Sequence, residues 1–174
     1  MITNNKLLEK KKELVEKFGA FMEGQEKLTP IAARIFASLF ICGPKGSTFE
    51  ELVLFLGASK STISTNLQNL SNAGIVTFYT KPGDRKKYFI LSSAAFLSRV
   101  EEEIVQYRTE YQIVKEIIVY KEEANNLIEK EEEKYELKNP SPYLDFLSNT
   151  ITLLEQLREH VKSNCGVHSL NDKI

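Results

Sequence analysis

The run from Phe49 to Ser92 constrains the fold more than any other stretch of this chain, because its punctuation leaves few alternatives. A helix is expected to begin near Thr48, with Glu50 and Glu51 in its first turn where the macrodipole favours carboxylates. Leu52, Val53, Phe55 and Leu56 supply its packing face. Gly57 ends it by allowing a left-handed backbone, and Ala58 keeps the turn close-packed. Ser59 is the expected N-cap of a second helix, in which Ile63, Leu67 and Leu70 fall at i, i+4 and i+7 and define one buried side. Ala73-Gly74 closes that helix. A β-rich run of Ile75, Val76, Phe78 and Tyr79 then meets turn chemistry in Lys81-Pro82-Gly83-Asp84 and returns as Lys87-Tyr88-Phe89-Ile90-Leu91.

The exposed side of the second helix carries Lys60, Ser61, Thr62, Ser64, Thr65, Asn66, Gln68 and Asn69, a set without an anion. Solvated helices normally carry Glu and Lys, which have better helix propensity than Ser, Thr and Asn, so this composition asks for a reason other than stability. A major groove supplies one. Ser and Thr bond phosphate oxygens or base edges, Asn and Gln pair bidentately with adenine, and a Thr methyl meets the thymine methyl. The hairpin that follows is tipped by Lys81, Arg85, Lys86 and Lys87. A basic hairpin is often only a protected sheet edge, but beside such a helix it can lie along phosphates or enter a narrow minor groove. Helix, turn, helix and basic hairpin are together the parts of a winged helix-turn-helix that reads double-stranded DNA.

Charge is segregated accordingly. The formal net charge is only -1, which excludes a generally polyanion-coating protein and requires any DNA affinity to be local. No Asp or Glu lies between Leu52 and Gly83, whereas Glu101, Glu102, Glu103, Glu110, Glu116, Glu122, Glu123 and the run around Glu131 crowd the later half.

At this point a family resemblance emerges. Leu56-Gly57-Ala58-Ser59-Lys60-Ser61-Thr62-Ile63-Ser64, Leu67, Leu70, Gly74-Ile75-Val76 and the wing Gly83-Asp84-Arg85-Lys86 resemble the MarR family of winged-helix transcription regulators, and the wing and longer helical tail resemble its GbsR-like branch. The resemblance covers roughly residues 30–92, with the flanking helices matching only in architecture. It implies a homodimer on a pseudo-palindromic operator, commonly a repressor released by a small-molecule effector. By position it implies DNA contacts from Ser59, Lys60, Ser61 and Thr62; Thr65, Asn66 and Asn69 along the same helix and Lys81, Lys86 and Lys87 on the wing are expected contacts from their own chemistry. It also implies that Arg85 reaches the minor groove, oriented by an ion pair with Asp84. Two departures bear on sequence choice: many members carry an Arg where Thr65 stands, and their wing is longer than Asp84-Arg85-Lys86-Lys87.

The flanks are predicted to be helical, giving a mainly α (α+β) chain with a dimerisation segment over 1–28, the DNA reader over 29–93 and a second dimerisation segment over 94–174. In the first helix, about Asn5 to Gly24, the apolar stripe is Leu7, Leu14, Phe18, Phe21 and Met22. Thr29 and Pro30 read as N-cap and first residue of a core helix ending at Gly43-Pro44-Lys45-Gly46. From Ala94 to Tyr135, Val100, Ile104, Tyr107, Tyr111, Val114 and Ile118 step by fours and threes, predicting one helix of about forty residues and about 60 Å. Asn139-Pro140-Ser141-Pro142 breaks the chain before a last helix striped by Tyr143, Leu147, Thr150, Leu154, Leu157 and Val161. Stripes this wide suit a multi-helix interface between two copies.

No constellation for catalysis, a cofactor or a metal emerges. The string around Gly43-Pro44-Lys45-Gly46 lacks the glycine spacing of a phosphate loop, and Cys165 and His168 are a lone pair near the end of the chain. Cys42 reads as a small buried hydrophobe, since no cation lies beside it in the sequence. With two distant cysteines, no leader-like segment and no apolar run of about 18 residues, a cytoplasmic protein with no membrane partner is expected. An effector would sit where the reader joins the long helix, with Phe36, Phe40, Tyr107 and Tyr111 as an aromatic lining, unless these residues are simply core. The GbsR-like resemblance implies choline-type quaternary amines for such a site. The alternative to a DNA regulator is a winged helix that presents the same faces to another protein.

Overall fold

The computed structural model describes residues 4–137 and 141–168, with side chains described through Ser163. The Asn139-Pro140 part of the expected break and the side chains of Cys165 and His168 fall outside the described residues. The chain divides into two compact units, Met1–Ala95 and Phe96–Ile174.

In the first unit, α1 (Asn4–Glu26) leads to α2 (Pro30–Cys42), where the Thr29 side chain accepts the Ala32 N–H and Pro30 opens the helix. A short 3-10 turn, Gly43–Lys45, delivers the chain into β1 (Ser47–Thr48) and α3 (Phe49–Leu56). Thr48 caps α3 in a reciprocal box with Glu51, each satisfying a backbone N–H of the other. Gly57 adopts the left-handed conformation at φ 63° and ψ 16°, and α4 (Lys60–Asn72) follows from its Ser59 cap. Strands β2 (Val76–Thr80) and β3 (Lys87–Leu91) form the hairpin. The sheet is antiparallel in the order β1-β3-β2, with Ser47 opposite Phe89 and Phe78 opposite Phe89 on the other side. Its third strand, two residues long, was too short to show in the sequence. The result is a winged helix-turn-helix. Ile35, Leu39, Leu52, Ile63, Leu67, Leu70 and Val76 form its core, so α2, α3, α4 and the sheet are packed as one body.

Gly46 shows why the second glycine of the Gly43–Gly46 turn is there. Its backbone sits at φ 66° and ψ -172°, a region open essentially to glycine alone, and a Cβ would lie 2.5 Å from the Phe89 carbonyl oxygen. The turn is thus a close approach of chain to strand.

The α1 stripe divides, and one expectation is corrected. The inward side of α1 is Val15, Phe18, Gly19 and Met22, while Leu7, Leu14 and Phe21 are 54%, 43% and 58% exposed. At Gly19 the missing side chain lets Arg34 of α2 approach closely, and Arg34 binds Glu16 and Glu23. Cys42 is not sealed among hydrophobes: it is half-buried, and the Lys11 ammonium lies 3.6 Å from its Sγ.

The second unit contains most of α5 (Ser93–Asn125) and all of α6 (Pro142–His168). Along α5, Val100 and Ile104 are buried and Tyr107, Tyr111, Val114 and Ile118 are half-buried, as the stepped pattern predicts. The helix nevertheless ends at Asn125, after 33 residues and about 50 Å, rather than continuing to Tyr135. The Asn125 side chain donates to the Tyr135 carbonyl at 2.9 Å and accepts the Tyr135 N–H at 2.8 Å, so the chain folds back. Tyr135 then packs against the Tyr120 ring. Within this unit α5 and α6 are linked by Glu101 to Lys162 at 3.2 Å, by Arg108 to Glu155, and by Tyr143 to Glu110. The bond to Glu110 pushes the Tyr143 hydroxyl pKa above its usual value.

Candidate nucleic-acid interface

The outward side of α4 is built by what lies beneath it. Ile63, Leu67 and Leu70 are buried, which turns Ser61, Thr65 and Asn69 to the opposite side at i, i+4 and i+8. At the N-terminus the Ser59 hydroxyl accepts the Thr62 N–H at 3.1 Å and lies 2.9 Å from Ser61 Oγ and 2.8 Å from Thr62 Oγ1. Three hydroxyls therefore cluster at the helix end whose backbone dipoles favour phosphate. Lys60, Thr65 and Asn69 are exposed alongside them.

Asn66 differs from this set. Its Oδ1 accepts the Thr29 hydroxyl at 2.6 Å and its Nδ2 donates to the Thr62 carbonyl at 2.9 Å. The amide braces α4 to the cap of α2 and has only one N–H and one lone pair left for any other partner. Helical spacing alone had grouped it with Thr65; the tertiary partner could not be seen.

The wing turn is pinned by Asp84. Its carboxylate accepts the Lys86 N–H at 2.9 Å, the Asx-turn pattern, and the Tyr88 hydroxyl at 2.7 Å. These bonds, the backbone one first, hold the Asp84 carboxyl below the usual range, while the same carboxylate pushes the Tyr88 hydroxyl up. The expected ion pair between Asp84 and Arg85 does not form: Asp84 spends its oxygens on the turn, and Arg85 projects from the tip. Aromatic rings position the flanking cations instead, with Lys81 Nζ 3.8 Å from the Tyr88 ring centre and Lys87 Nζ 4.1 Å from that of Phe78.

Among the described residues, ion pairing divides the cations of this unit: Lys10, Lys12, Lys17 and Arg34 are paired with carboxylates, whereas those of the α4 face and the wing tip, like Lys11 and Lys45, are not. On α1, Lys10, Lys12 and Lys17 are paired with Glu13, Glu9 and Glu13, and the two lysines on Glu13 lower its pKa to about 2. Among the described residues no carboxylate pairs with Lys60, Arg85 or Lys86. The helix face and the wing tip thus present cations outside any salt bridge together with exposed hydroxyl and amide groups.

The aromatic residues expected at an effector site have other neighbours. The Phe18 ring lies 6.0 Å from Phe36 and 4.9 Å from Phe40, with Phe21 at 6.4 Å on the same helix as Phe18. Tyr107 and Tyr111 are half-buried on α5 in the second unit. Among the described residues, no group of three or more His, Cys, Asp or Glu could hold a metal ion, and no helix is long and apolar enough to cross a membrane.

No family model matches the chain. It is 37% identical over 92 residues to the HTH-type transcriptional regulator MmpR5 of Mycobacterium tuberculosis, covering 53% of this chain and 55% of that protein. The chain thus spans about half the length of that curated relative. A solved structure described as a transcriptional regulator is 25% identical, covers 92% of this chain and 99% of its own, and superposes with a TM-score of 0.45. The MepR–DNA complex of S. aureus is 18% identical, covers 58% of this chain and 87% of its own, and superposes with a TM-score of 0.39.

Proposed function

We propose that this protein is a sequence-specific, DNA-binding transcription regulator of the MarR type, in which residues 29–93 read double-stranded DNA and the helices on either side pair two copies. The observation that carries the reading is the exposed face formed by Lys60, Ser61, Thr65 and Asn69 of α4 with Arg85 and Lys86 of the wing, whose cations form no salt bridge among the described residues and whose helix carries no carboxylate. The sequence likeness to MmpR5, itself named as a transcriptional regulator, supports it independently.

The finer parts of the proposal are a homodimer, a pseudo-palindromic operator, repression, and release by a small effector. Each unit supports pairing by leaving large apolar side chains exposed: Leu7, Leu14 and Phe21 on α1, and Val105, Ile113, Ile117, Phe146 and Leu153 on α5 and α6. A two-fold pair would set its recognition helices about 34 Å apart, one turn of DNA. Assignment to the GbsR-like branch rests on the Gly83-Asp84-Arg85-Lys86 wing.

Fluorescence anisotropy against fragments of the source genome tests the reading. A regulator binds a small set of fragments selectively, and log K falls linearly with log salt. Binding that is equally weak for all fragments at moderate salt would leave the winged helix as a protein-docking module and defeat the proposal.

A further inference from the structure

We propose that α4 reads A·T pairs in the major groove: Asn69 holds an adenine edge, Thr65 packs its methyl against that of a thymine about two base-pair steps away, and no guanine is required beneath the helix. These roles rest on the DNA-binding reading and go on to name the class of operator.

The chemistry of the exposed side favours one kind of pair. In the major groove a G·C pair is read through guanine O6 and N7 by an arginine or lysine, and through the cytosine amine by a carboxylate. The helix has no arginine, no Asp and no Glu. Its one cation, Lys60, is its first residue and stands beside the Ser59, Ser61 and Thr62 hydroxyls, at the end whose dipoles favour phosphate. Lys60 is therefore placed for the DNA backbone rather than for a base. What remains along the helix is suited to A·T: amides for adenine and a threonine methyl for thymine.

Internal hydrogen bonds decide which of these groups are available. Of the four amides on α4, Asn66 is engaged with Thr29 and the Thr62 carbonyl, and Gln68 Nε2 donates to Asn72 Oδ1 at 2.7 Å. Asn69 is exposed, and among the described residues its side chain makes no hydrogen bond. Its N–H can donate to adenine N7 while its oxygen accepts from the N6 amine. Thr65 is likewise exposed and unbonded, and its methyl matches the thymine C5-methyl. Ser61 and Ser64, also exposed, have no methyl, and a bare hydroxyl does not discriminate between pairs. Thr65 and Asn69 lie one turn apart on the side away from Ile63, Leu67 and Leu70. They are about 6 Å apart along the axis against about 3.4 Å per base pair, hence the spacing of about two steps.

The test is selection of bound duplexes from a randomised pool by the full chain, by Thr65→Ser and by Asn69→Ala, followed by anisotropy on the best site with deoxyuridine replacing one thymine at a time. Both side chains are exposed, so the three proteins should melt alike. Asn69→Ala is expected to flatten the preference for adenine at one position of each half-site by at least about fivefold while the other positions hold. One deoxyuridine is expected to weaken the natural chain by about fourfold, the worth of one buried methyl, and to leave Thr65→Ser unaffected. A guanine or cytosine at the position that responds to Asn69→Ala, or no responding position, would overturn the role of Asn69. Equal deoxyuridine losses in the natural chain and Thr65→Ser would overturn that of Thr65. Enrichment in which both variants select as the natural chain does would remove these two readers and leave the DNA-binding reading standing. No enrichment by the natural chain would instead defeat the DNA-binding reading, and the two roles with it.

Discussion

The Tyr88 hydroxyl donates to the Asp84 carboxylate at 2.7 Å, tying strand β3 to the tip of its own wing. With the Lys86 N–H as the larger cause, this bond holds the folded Asp84 pKa below its unfolded value. The contribution to stability is therefore complete above the unfolded pKa of about 3.9 and lost as pH falls through the lower folded value. Thermal midpoints of the natural chain and of Asp84→Asn should differ at neutral pH and converge as pH falls below about 4. A gap that stays constant from neutral to acid pH would show that the charge of Asp84 plays no part in the turn.

Asn66 is predicted to stabilise the recognition helix rather than read DNA. Its two hydrogen bonds, to Thr29 and to the Thr62 carbonyl, are worth about 1 kcal/mol each. Urea unfolding of Asn66→Ala should show a loss of about 1–2 kcal/mol. Thr65→Ala, one position earlier and free of such bonds, should change stability by less than about 0.5 kcal/mol. Equal midpoints for the two variants would dismiss the brace.

What could be read from the sequence follows from how local each cause is. The caps at Thr29 and Ser59, the helix start near Thr48, the left-handed Gly57 and the Ile63, Leu67, Leu70 side depend on residues within a turn or two, and all form as expected. On α1 the spacing did not separate Phe18 and Met22, which pack inward with Val15 and the small Gly19 against Arg34, from the exposed Leu7, Leu14 and Phe21. Asn125 stops α5 through a partner ten residues away, and Lys11 reaches Cys42 across 31 residues. Helical spacing carries no signal for either. At the candidate interface the residue types were legible, but which were free and which were spent internally, as with Asn66 and Asp84, depended on tertiary neighbours.

Gly46→Ala should be among the most damaging single changes in the first unit. The new methyl would meet the Phe89 carbonyl oxygen at 2.5 Å and the Ile90 side chain at 2.9 Å from a backbone region closed to alanine. Strain of this kind costs about 1–3 kcal/mol, and the clash adds to it. Gly24→Ala, at a position with open space around it, serves as the control. Similar melting curves for the two variants would show that the turn relaxes away from β3.

Arg85 is the wing cation left free by Asp84, and Lys60 is its counterpart on the helix. On the DNA-binding reading, Arg85→Ala should weaken operator binding by about 1–3 kcal/mol, the scale of a good groove contact, and should relax discrimination among fragments. Lys60→Ala should instead weaken all fragments similarly and make the salt slope shallower by about 1 per site, as expected for loss of a phosphate contact. An unchanged isotherm for Arg85→Ala would remove it from the interface.

Leu7, Leu14 and Phe21 recur every seven residues on α1 and remain 54%, 43% and 58% exposed in the single chain. A seven-residue apolar repeat is the seam by which helices pair, and the inward face of α1 is separately satisfied by Val15, Phe18 and Met22. The two faces can thus be tested apart. Leu14→Lys should leave the melting curve of the first unit within about 0.5 kcal/mol, since an exposed side chain is changed. The same substitution should weaken self-association in sedimentation equilibrium by at least about tenfold, or 1.4 kcal/mol. Val15→Lys, one position along and buried to 1%, should unfold the unit instead. If Leu14→Lys sediments as the natural chain does, α1 is not part of the pairing surface, and the exposed residues of α5 and α6 would have to supply it alone.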